Sequence, residues 1–410
     1  MRTDLVPAAE ALRLVLEGAQ PEREETVALA DAAFRVLSRD LAAKRTQPPF
    51  PASAMDGYAL RADDIASVPA TLRVTGQAAA GHPFAGTVGP GEAVRIFTGA
   101  PVPAGADTVV MQENTSRDGD AVTVLRSAEM GKSVRPAGLD FAAGDLLLKR
   151  GDLLGPVQLA LAASMNHARV PVFAQPRVAL IATGDELVAP GGEPGDGKII
   201  ASNTFGLAAL IGASGGAVID LGIAGDTRAA LEAALAAAVD AGADLVVTTG
   251  GASVGDHDLV KPALLALGAE LQFEKLAIRP GKPMLSGRLE RGDRVVRFLG
   301  LAGNPVSSLV AAHVFVRPLV ARLAGRPPHE AVPVRAVLGG DAAANDERQD
   351  YLRARVSGGA DGVLVASPFA VQDSSMLAVL ARSQGLVVRP PHAPAARRGE
   401  PCEIILLADV

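Results

Sequence analysis

The sequence is poor in aromatic side chains, cysteine and excess basic charge. It has no tryptophan, two tyrosines and eleven phenylalanines among 410 residues, so its cores must be aliphatic. The one cysteine, Cys402, excludes an intramolecular disulfide framework and a zinc site built from several cysteines. The net charge of −6 is unlike the basic footprint of a nucleic-acid-binding protein. We therefore expect no nucleic-acid partner.

Long hydrophobic runs and a secretory leader are also missing. No uninterrupted apolar run reaches the ~20 residues of a membrane-spanning helix. The first residues, MRTDLVPAAEAL, are acidic and amphipathic, unlike a signal peptide. These features predict a soluble, cytoplasmic protein without a membrane partner.

In the first half of the chain, the predicted secondary structure changes twice. Two amphipathic helices are predicted before residue 41, in AAEALRLVLEGA and TVALADAAFRVLSRDL. Between about residues 70 and 126, short β-type runs such as TLRVTG, EAVRIF, DTVVMQE and AVTVLR alternate with Gly/Pro turns. Helical periodicity returns over 151–168. The β region is therefore predicted to be inserted into a helical one.

From residue 176 onward, apolar strands alternate with helices. The strands are predicted in RVALIATG, AVIDLGI, DLVVTTGG, LQFEKLAI and RVVRFLGL, with helices in most of the connections and a long last helix in PVSSLVAAHVFVRPLVARLAG. Such alternation indicates a mostly parallel sheet covered on both faces. After the Pro-rich RPPHEAVPVR, the tail is again β-type.

The length suggests several domains. We predict a multidomain α/β protein: a helical N-terminal domain (1–46 and 142–175), an inserted β domain (47–141), a doubly wound, mostly parallel sheet domain (176–328) and a C-terminal β-barrel domain (329–410).

The glycine-rich turn after DLVVTTGG is a candidate phosphate site. Small residues let backbone N–H groups approach an anion, and the following helix start adds partial positive charge. The residues are Gly250, Gly251, Ser253 and Gly255. The same glycines would equally suit a tight strand-to-helix turn that binds nothing.

Carboxylates follow the ends of three predicted strands. Glu186, Asp226 and Asp258 would lie along one sheet edge, with Asp185 and Asp256 beside them. Oxygen ligands beside a phosphate suggest Mg²⁺ bridging carboxylate and phosphate oxygens. Asp256 or Asp258 could instead only cap the following helix.

Other motifs narrow the choice of ligand. Arg279 and Lys282 in IRPGKP supply positive charge for a second anion. GEPGDGKI has the spacing of a P-loop but ends in Ile199, where a Mg²⁺-binding Ser or Thr is required, and no GxGxxG opens a helix after a strand. A Walker site and a dinucleotide cofactor are therefore not predicted. The six histidines show no ligand spacing, so a histidine metal site is not predicted either.

Seven motifs in order resemble the MoeA family of molybdopterin molybdotransferases, which is related to the E domain of gephyrin. They are SAMDGYAL, RIFTGAPVPAGADTVVMQE, RPAGLDFAAG, ATGDEL, TTGGASVGDHD, KLAIRPGKP and LAGNPVSS. The resemblance runs from the first helix to the tail. It implies a homodimer of four-domain subunits with a MogA-like sheet domain. It also implies a reaction in which adenylylated molybdopterin and molybdate give molybdenum cofactor and AMP.

The resemblance also assigns site residues. Asp56, Thr98 and Asp140 match the family's N-terminal motifs, and Glu186, Asp226 and Asp258 its sheet-edge acids. The cleft would form between the sheet domain of one subunit and the β domain of the other. The substrate-binding residues that the resemblance adds to the glycine turn are Arg279, Lys282, Gly303, Asn304, Pro305, Ser307 and, by a looser match near molybdate, Arg353 and Ser374. The adenylyltransferase that supplies the substrate is a candidate partner.

Two positions depart from the family pattern. Ala302 replaces the Pro of L-P-G-N-P, which would loosen the loop by up to roughly 1 kcal/mol through unfolded-state entropy. Arg279 replaces a lysine, which keeps the charge but not its geometry.

Two other functions stay open. The first is nucleotidyl transfer from ATP onto molybdopterin, the chemistry of a sister family that resembles the sheet domain alone. The second is a non-enzymatic pterin carrier or scaffold. The extra domains disfavour the first, and the converging carboxylates disfavour the second.

Overall fold

The structure is a computed structural model that describes residues 4–251, 259–327, 333–359 and 362–407. The α-helices are α1 (Ala8–Leu16), α2 (Pro156–Ser164), α3 (Asn203–Ala213), α4 (Arg228–Asp240), α5 (Val260–Ala266), α6 (Pro305–Ala311), α7 (Arg317–Leu323) and α8 (Leu377–Ala381). Short 3₁₀ helices span Leu29–Asp31, Ala62–Ile65 and Gln112–Asn114, and a π-helical segment, Ala312–Val316, joins α6 to α7.

The strands are β1 (Glu24–Ala28), β2 (Leu41–Ala42), β3 (Ala52–Ser53), β4 (Gly57–Leu60), β5 (Ala70–Ala78), β6 (Glu92–Ile96), β7 (Thr108–Met111), β8 (Thr115–Asp118), β9 (Ala121–Val124), β10 (Val134–Arg135), β11 (Leu146–Leu148), β12 (Arg169–Phe173), β13 (Arg177–Thr183), β14 (Leu187–Val188), β15 (Ile199–Ile200), β16 (Ala217–Ala224), β17 (Leu245–Thr249), β18 (Glu270–Lys275), β19 (Ile278–Arg279), β20 (Pro283–Arg291), β21 (Arg294–Leu301), β22 (Val334–Leu338), β23 (Gln349–Gly358), β24 (Leu364–Pro368), β25 (Gly385–Arg389) and β26 (Pro401–Leu406).

The chain divides into two compact units. The small unit comprises residues 26–33 and 39–170, and the large unit comprises 1–25, 34–38 and 171–410. We describe each by itself.

The small unit contains a six-stranded sheet in the order β7-β4-β6-β5-β9-β8. All pairings are antiparallel except the β5–β6 pair. Side chains alternate across strand β4, so Tyr58 and Leu60 enter one core while Ala59 enters another. The predicted β runs of this region are confirmed as β5, β6, β7 and β9.

The large unit is built on a six-stranded sheet in the order β16-β13-β17-β21-β20-β18. The first four strands are parallel, whereas β20 and β18 add antiparallel. One core contains residues of α1, α3, α6 and α7, and a second core contains residues of α4 and α5. Helices therefore cover both faces, which confirms the predicted doubly wound sheet.

The tail forms a closed barrel of five strands in the order β23-β24-β22-β26-β25, because β25 also pairs with β23. Its interior is filled by small and aliphatic side chains such as Ala336, Leu338, Ala354, Val387 and Ile404. Strand β19, which leaves the sheet domain, pairs in parallel with β23. The closed barrel agrees with the predicted β-type tail.

The predicted second helix, residues 26–41, was wrong. This segment forms β1, a 3₁₀ turn and extended chain, and β1 joins a two-stranded sheet with β12. The amide of Leu29 donates to the carbonyl of Ala168, 2.9 Å away. Backbone pairing with a strand distant in sequence has therefore overridden a helical spacing of apolar residues.

One helical span among the described residues, Pro305–Leu323, is long and apolar enough to cross a membrane by length and composition. Most of it, 78%, is buried inside the protein. It includes charged Arg317 and packs in the first core of the large unit, so we interpret it as a core helix.

Candidate active site at the carboxyl edge of the central sheet

The strand order reverses direction between β13 and β17. The chain runs from β13 through α3 to β16 on one side, and then through α4 to β17 on the other side of β13. Because the two strands are parallel and Ala182 pairs with Thr249, their carboxyl ends open onto the same crevice. Such a switch point is where α/β sheets bind ligands.

A cavity of about 640 Å³ occupies this edge, a size typical of ligand sites. It lies within the large unit, and residues from the ends of β13, β16, β17 and β21, the start of α3 and the tail line it. They are Ala182, Thr183, Gly184, Glu186, Leu187, Ile199, Ile200, Ala201, Ser202, Asn203, Thr204, Asp226, Thr249, Gly250, Gly251, Pro283, Ala302, Gly303, Asn304, Pro305 and Ser375.

The glycine pair after β17 is required by backbone conformation and by space. Gly250 and Gly251 have φ of +90° and +63°, which disfavours side chains. A Cβ at Gly250 would lie 2.5 Å from the carbonyl oxygen of Thr183. The Gly250 amide donates to the carbonyl of Leu301 (3.0 Å) and is therefore engaged within the protein. Ser253, Gly255 and Asp258 lie outside the described residues.

Two of the predicted acids, Glu186 and Asp226, line the cavity. Asp226 is held by a reciprocal pair of hydrogen bonds with Asp185. The amide of Asp185 donates to Oδ2 of Asp226 (3.1 Å), and the amide of Asp226 donates to Oδ1 of Asp185 (3.0 Å). This arrangement fixes the Asp226 carboxylate and engages only one of its oxygens.

Glu186 lies over the backbone of the preceding turn. A Cβ at Gly184 would lie 2.4 Å from Oε2 of Glu186, so glycine leaves the space that this carboxylate fills. Among the described residues, no group of three or more acidic, histidine or cysteine side chains could hold a metal. The two carboxylates that line the cavity nevertheless suit Mg²⁺, which commonly uses one or two carboxylates together with substrate phosphate oxygens.

The two predicted cations behave differently. Arg279 forms ion pairs with Asp346 (2.8 Å) and Asp350 (3.1 Å) of the tail. The guanidinium of Arg348, hydrogen-bonded to Asp346, holds the pKa of that carboxyl well below its usual range. Lys282 is exposed and pairs with no acid among the described residues. Neither Arg279 nor Lys282 lines the cavity.

The loop after β21 is held by side chains from two other segments. The side-chain Nδ2 of Asn203 donates to the carbonyl of Gly303 (2.8 Å), and the side-chain Nδ2 of Asn304 donates to the hydroxyl of Ser374 (3.1 Å). Gly303, Asn304 and Pro305 line the cavity, whereas Ser307 is buried in α6. Ala302, which stands at the position of the proline in the L-P-G-N-P pattern, is buried and lines the cavity.

Arg353 lies on strand β23, on the face opposite the barrel core, and is buried, with 2% of its surface exposed. It donates to the carbonyls of Tyr351 (3.5 Å) and Asp373 (3.2 Å), and burial lowers its pKa. The structure thus brings Ser374 to the loop of Asn304, while Arg353 supports the turn before Ser374 from beneath.

The remaining predicted residues lie in the small unit. Oδ1 of Asp56 accepts hydrogen bonds from the amide and the hydroxyl of Thr98, both 2.8 Å away. These two bonds lower the pKa of Asp56. Asp140 is exposed, and its amide donates to the carbonyl of Gln47 (3.0 Å).

Several cavity residues were not predicted from the sequence. They are Thr183, Ser202, Asn203, Thr204, Thr249 and Ser375. The signal for three of them was present, since Ser202–Thr204 open a predicted helix in SNTFGLAALIGA. A polar helix start is, however, as typical of a capped helix as of a binding site.

Comparison with known proteins places this geometry in a family. The model of the MoeA N-terminal region (domain I and II) matches residues 6–166, that of a probable molybdopterin binding domain matches 179–322, and that of the MoeA C-terminal region (domain IV) matches 335–407.

Individual proteins agree with these matches. The molybdopterin molybdenumtransferase of Haemophilus influenzae is 40% identical over 75% of this chain and 76% of its own length. That of Bacillus subtilis is 32% identical over 98% and 94%. The crystal structure of the molybdopterin biosynthesis MoeA protein from Pyrococcus horikosii aligns with a TM-score of 0.82 at 32% identity, covering 99% of this chain and 100% of that one. On this similarity of sequence and structure, the chain belongs to the MoeA family.

Proposed function

We propose that this protein is a molybdopterin molybdenumtransferase, which inserts molybdenum from molybdate into adenylylated molybdopterin and releases AMP. The observation that carries the proposal is the cavity at the β13–β17 switch point. The carboxylates of Glu186 and Asp226, the glycine pair after β17 and the first residues of α3 line it together. The Bacillus subtilis relative that carries this name matches 98% of the chain, and the Haemophilus influenzae relative matches 75% of it.

The cavity suits a substrate that combines a phosphate link with a flat ring. Its donors are backbone amides and neutral side chains, while Leu187, Ile199 and Ile200 provide apolar wall. Glu186 and Asp226 would hold Mg²⁺. Asp258, which lies outside the described residues, is the third proposed ligand. Bound there, the ion would neutralise developing charge on the phosphate oxygens as AMP leaves.

Other residues of the protein orient the groups that line the cavity. Asp185 keeps one oxygen of Asp226 directed by hydrogen bonding, and Asn203 holds the Gly303 loop against the cavity. We assign molybdate to the cation of Lys282, and the family resemblance adds Ser307, Ser374 and Arg353 as supporting groups. Arg279 would act there through the loop that it anchors to Asp346 and Asp350.

We further propose a homodimer in which the small unit of one subunit completes the site of the other. The exposed pair of Asp56 and Thr98, with Asp140, would be its contribution. The support for this arrangement is the family resemblance. A cytoplasmic location and an interaction with the adenylyltransferase that makes the substrate belong to the same proposal.

Adenylyl transfer from ATP to molybdopterin is the second candidate, because the sheet domain alone would suit it. The purified protein is incubated either with adenylylated molybdopterin and molybdate or with molybdopterin and ATP. We expect molybdate-dependent release of AMP in the first mixture and no adenylylated product in the second. Product only in the second mixture would replace our proposal with adenylyl transfer, and product in neither would leave a carrier.

A further inference from the structure

Strand β7 is one of the two edge strands of the six-stranded sheet in the small unit. An edge strand presents backbone groups without strand partners and can pair with another chain. The opposite edge, β8, has the sequence TSRD, whose exposed polar and charged side chains discourage such pairing. Strand β7 has the sequence TVVM, with no charged side chain. Of the two edges, β7 is therefore the one suited to a further strand.

The loop 125–133, which connects β9 to β10, covers only the first part of the β7 edge. The amide of Gly131 donates to the carbonyl of Asp107 (2.8 Å), and the amide of Val109 donates to the carbonyl of Lys132 (3.0 Å). Backbone groups of alternate residues face the same side of a strand, so the amide of Met111 also faces away from β4. It donates to no residue in the described part of the chain. The covered part of the edge thus ends at Val109.

A cavity of about 340 Å³ lies beside the uncovered part of the edge. Strand β7 from Val109 to Met111 and the loop 125–133 supply most of its described lining residues. The same loop carries two exposed apolar side chains, Leu125 and Met130, with 52% and 71% of their surfaces exposed. Open backbone groups, a cavity and apolar side chains therefore occur together at this edge.

The charged side chains of the cavity indicate which kind of ligand it favours. Among the described lining residues they are Arg126, Lys132 and Glu129. All three are exposed, and their side chains form no hydrogen bond or ion pair with another described residue. Two cations and one acid leave an excess of one positive charge, in a chain whose net charge is −6. Charge complementarity therefore favours an acidic partner.

A second copy of this chain is disfavoured at the β7 edge. Two identical edges that pair about a two-fold axis bring the same surface patch of both copies together. Arg126 and Lys132 of one copy would then approach the same cations of the other. Like charges that meet across an interface oppose binding.

We propose that the β7 edge is a docking site for an extended acidic peptide segment of another protein. The segment adds as a further strand, and its main chain accepts from the amide of Met111 and donates to the carbonyl of Val109. Its aspartate or glutamate side chains, at alternate positions, pair with Arg126 and Lys132. The proposed molybdenum insertion uses none of these residues.

One substitution removes the backbone donor alone. Met111 has φ of −61° and ψ of 142°, a conformation that proline adopts without strain. Its amide has no partner to lose among the described residues. Met111→Pro should therefore leave stability unchanged but weaken peptide binding by roughly tenfold, because the hydrogen bond is lost and the proline ring occupies its place. Met111→Leu keeps the amide and is the matched control.

The two cations are tested together. The double variant Arg126→Ser/Lys132→Ser should weaken binding of an acidic peptide by about tenfold at low salt, since each exposed ion pair contributes a few-fold. Arg117→Ser is the control, because Arg117 is an exposed cation on β8 and does not line the cavity. Its affinity should match that of wild type.

The measurement is fluorescence anisotropy of the full-length protein with two labelled seven-residue peptides, in which valine alternates with aspartate or with lysine. The aspartate peptide should bind wild type and both controls alike, and the lysine peptide should bind about tenfold more weakly or not at all. Undiminished binding to Met111→Pro or to the double variant, equal binding of the two peptides, or no binding of the aspartate peptide by wild type overturns the proposal.

Two further readouts complete the test. In wild type, the aspartate peptide should slow amide hydrogen exchange in residues 108–114 but not in β8. This readout needs no substitution, and an absence of protection in 108–114 contradicts the proposal. A change in oligomeric state caused by Met111→Pro but not by Met111→Leu would assign the edge to a second copy of the chain instead.

Discussion

Asp185 is the residue whose role the sequence alone did not reveal. It borders the cavity acids, yet its hydrogen bonds run to the backbone and carboxylate of Asp226. A Cβ at Gly225 would lie 3.1 Å from its Oδ1, so the neighbouring glycine makes room for it. Asp185 is thus a positioning residue that acts through Asp226.

We expect Asp185→Ala to lower molybdenum insertion by about 10- to 100-fold, the usual cost of losing a group that orients a metal ligand. Asp185→Asn should stay within a few-fold of wild type, because its side-chain oxygen can still accept from the amide of Asp226. Steady-state assays of both variants test this. A loss in Asp185→Asn as large as in Asp185→Ala would mean that the charge itself is needed.

Some residue-level predictions depended on partners that lie far away in the sequence. Arg279 was predicted from its charge to bind substrate, but its ion pairs are with Asp346 and Asp350, about 70 residues later. Lys282, three residues on, has no such ion pair among the described residues. Residue type alone predicts the same anion-binding role for both cations. Only the fold shows that Arg279 is paired with acids of the tail and that Lys282 is not.

At the scale of elements, the glycine turn after β17 is the clearest link between sequence and site. Its predicted role as a tight turn is consistent with the positive φ of Gly250 and with the nearby Thr183 carbonyl. Its predicted role as a phosphate cradle stays a prediction.

We expect Gly250→Ala to destabilise the protein more than Gly191→Ala does. Both glycines have φ near +90°, but a Cβ at Gly191 meets nothing within 4 Å. Gly191→Ala should therefore cost only the backbone term, about 1–2 kcal/mol. Denaturant unfolding of the two variants measures the difference. Equal costs would show that the turn can move away from Thr183.

Elements with strong periodicity were predictable, and those fixed by pairing were not. The parallel strands β13, β16, β17 and β21 follow from continuous apolar runs between turns. Strand β20 contains Pro283 and Gly287 and has no such run, but it pairs with β21 from Met284 to Arg291. The helix predicted over residues 26–41 was wrong for the converse reason, since pairing with a strand distant in sequence overrode the helical spacing of its apolar residues.

For the whole molecule, the proposed homodimer has a consequence that can be tested. If Asp56 acts in the partner's cavity, an Asp56→Ala subunit keeps an intact sheet edge and an Asp226→Asn subunit keeps an intact small unit. A hybrid of the two then contains one complete site.

Mixing these two inactive variants under exchange conditions should restore up to about one quarter of wild-type activity, because half of the dimers are hybrids with one working site of two. Each variant alone, carried through the same exchange, is the control. A hybrid population as inactive as its parents would show that Asp56 and Asp226 act within the same subunit's site.

The central claim is that adenylylated molybdopterin is cleaved and loaded with molybdenum at the sheet-edge cavity. Single-turnover reactions of wild type and Asp226→Asn, quantifying AMP and protein-bound molybdenum together, test it most directly. Asparagine can still accept the hydrogen bond from the Asp185 amide, so the fold should persist. Asp240→Asn, which changes an exposed acid outside the cavity, is the control.

Wild type and Asp240→Asn should form AMP and bound molybdenum in equal amounts. Asp226→Asn should bind the adenylylated substrate but form both products roughly 100-fold more slowly, since a metal-held charge contributes several kcal/mol. Wild-type rates in Asp226→Asn, or AMP release without molybdenum uptake in wild type, would contradict the account.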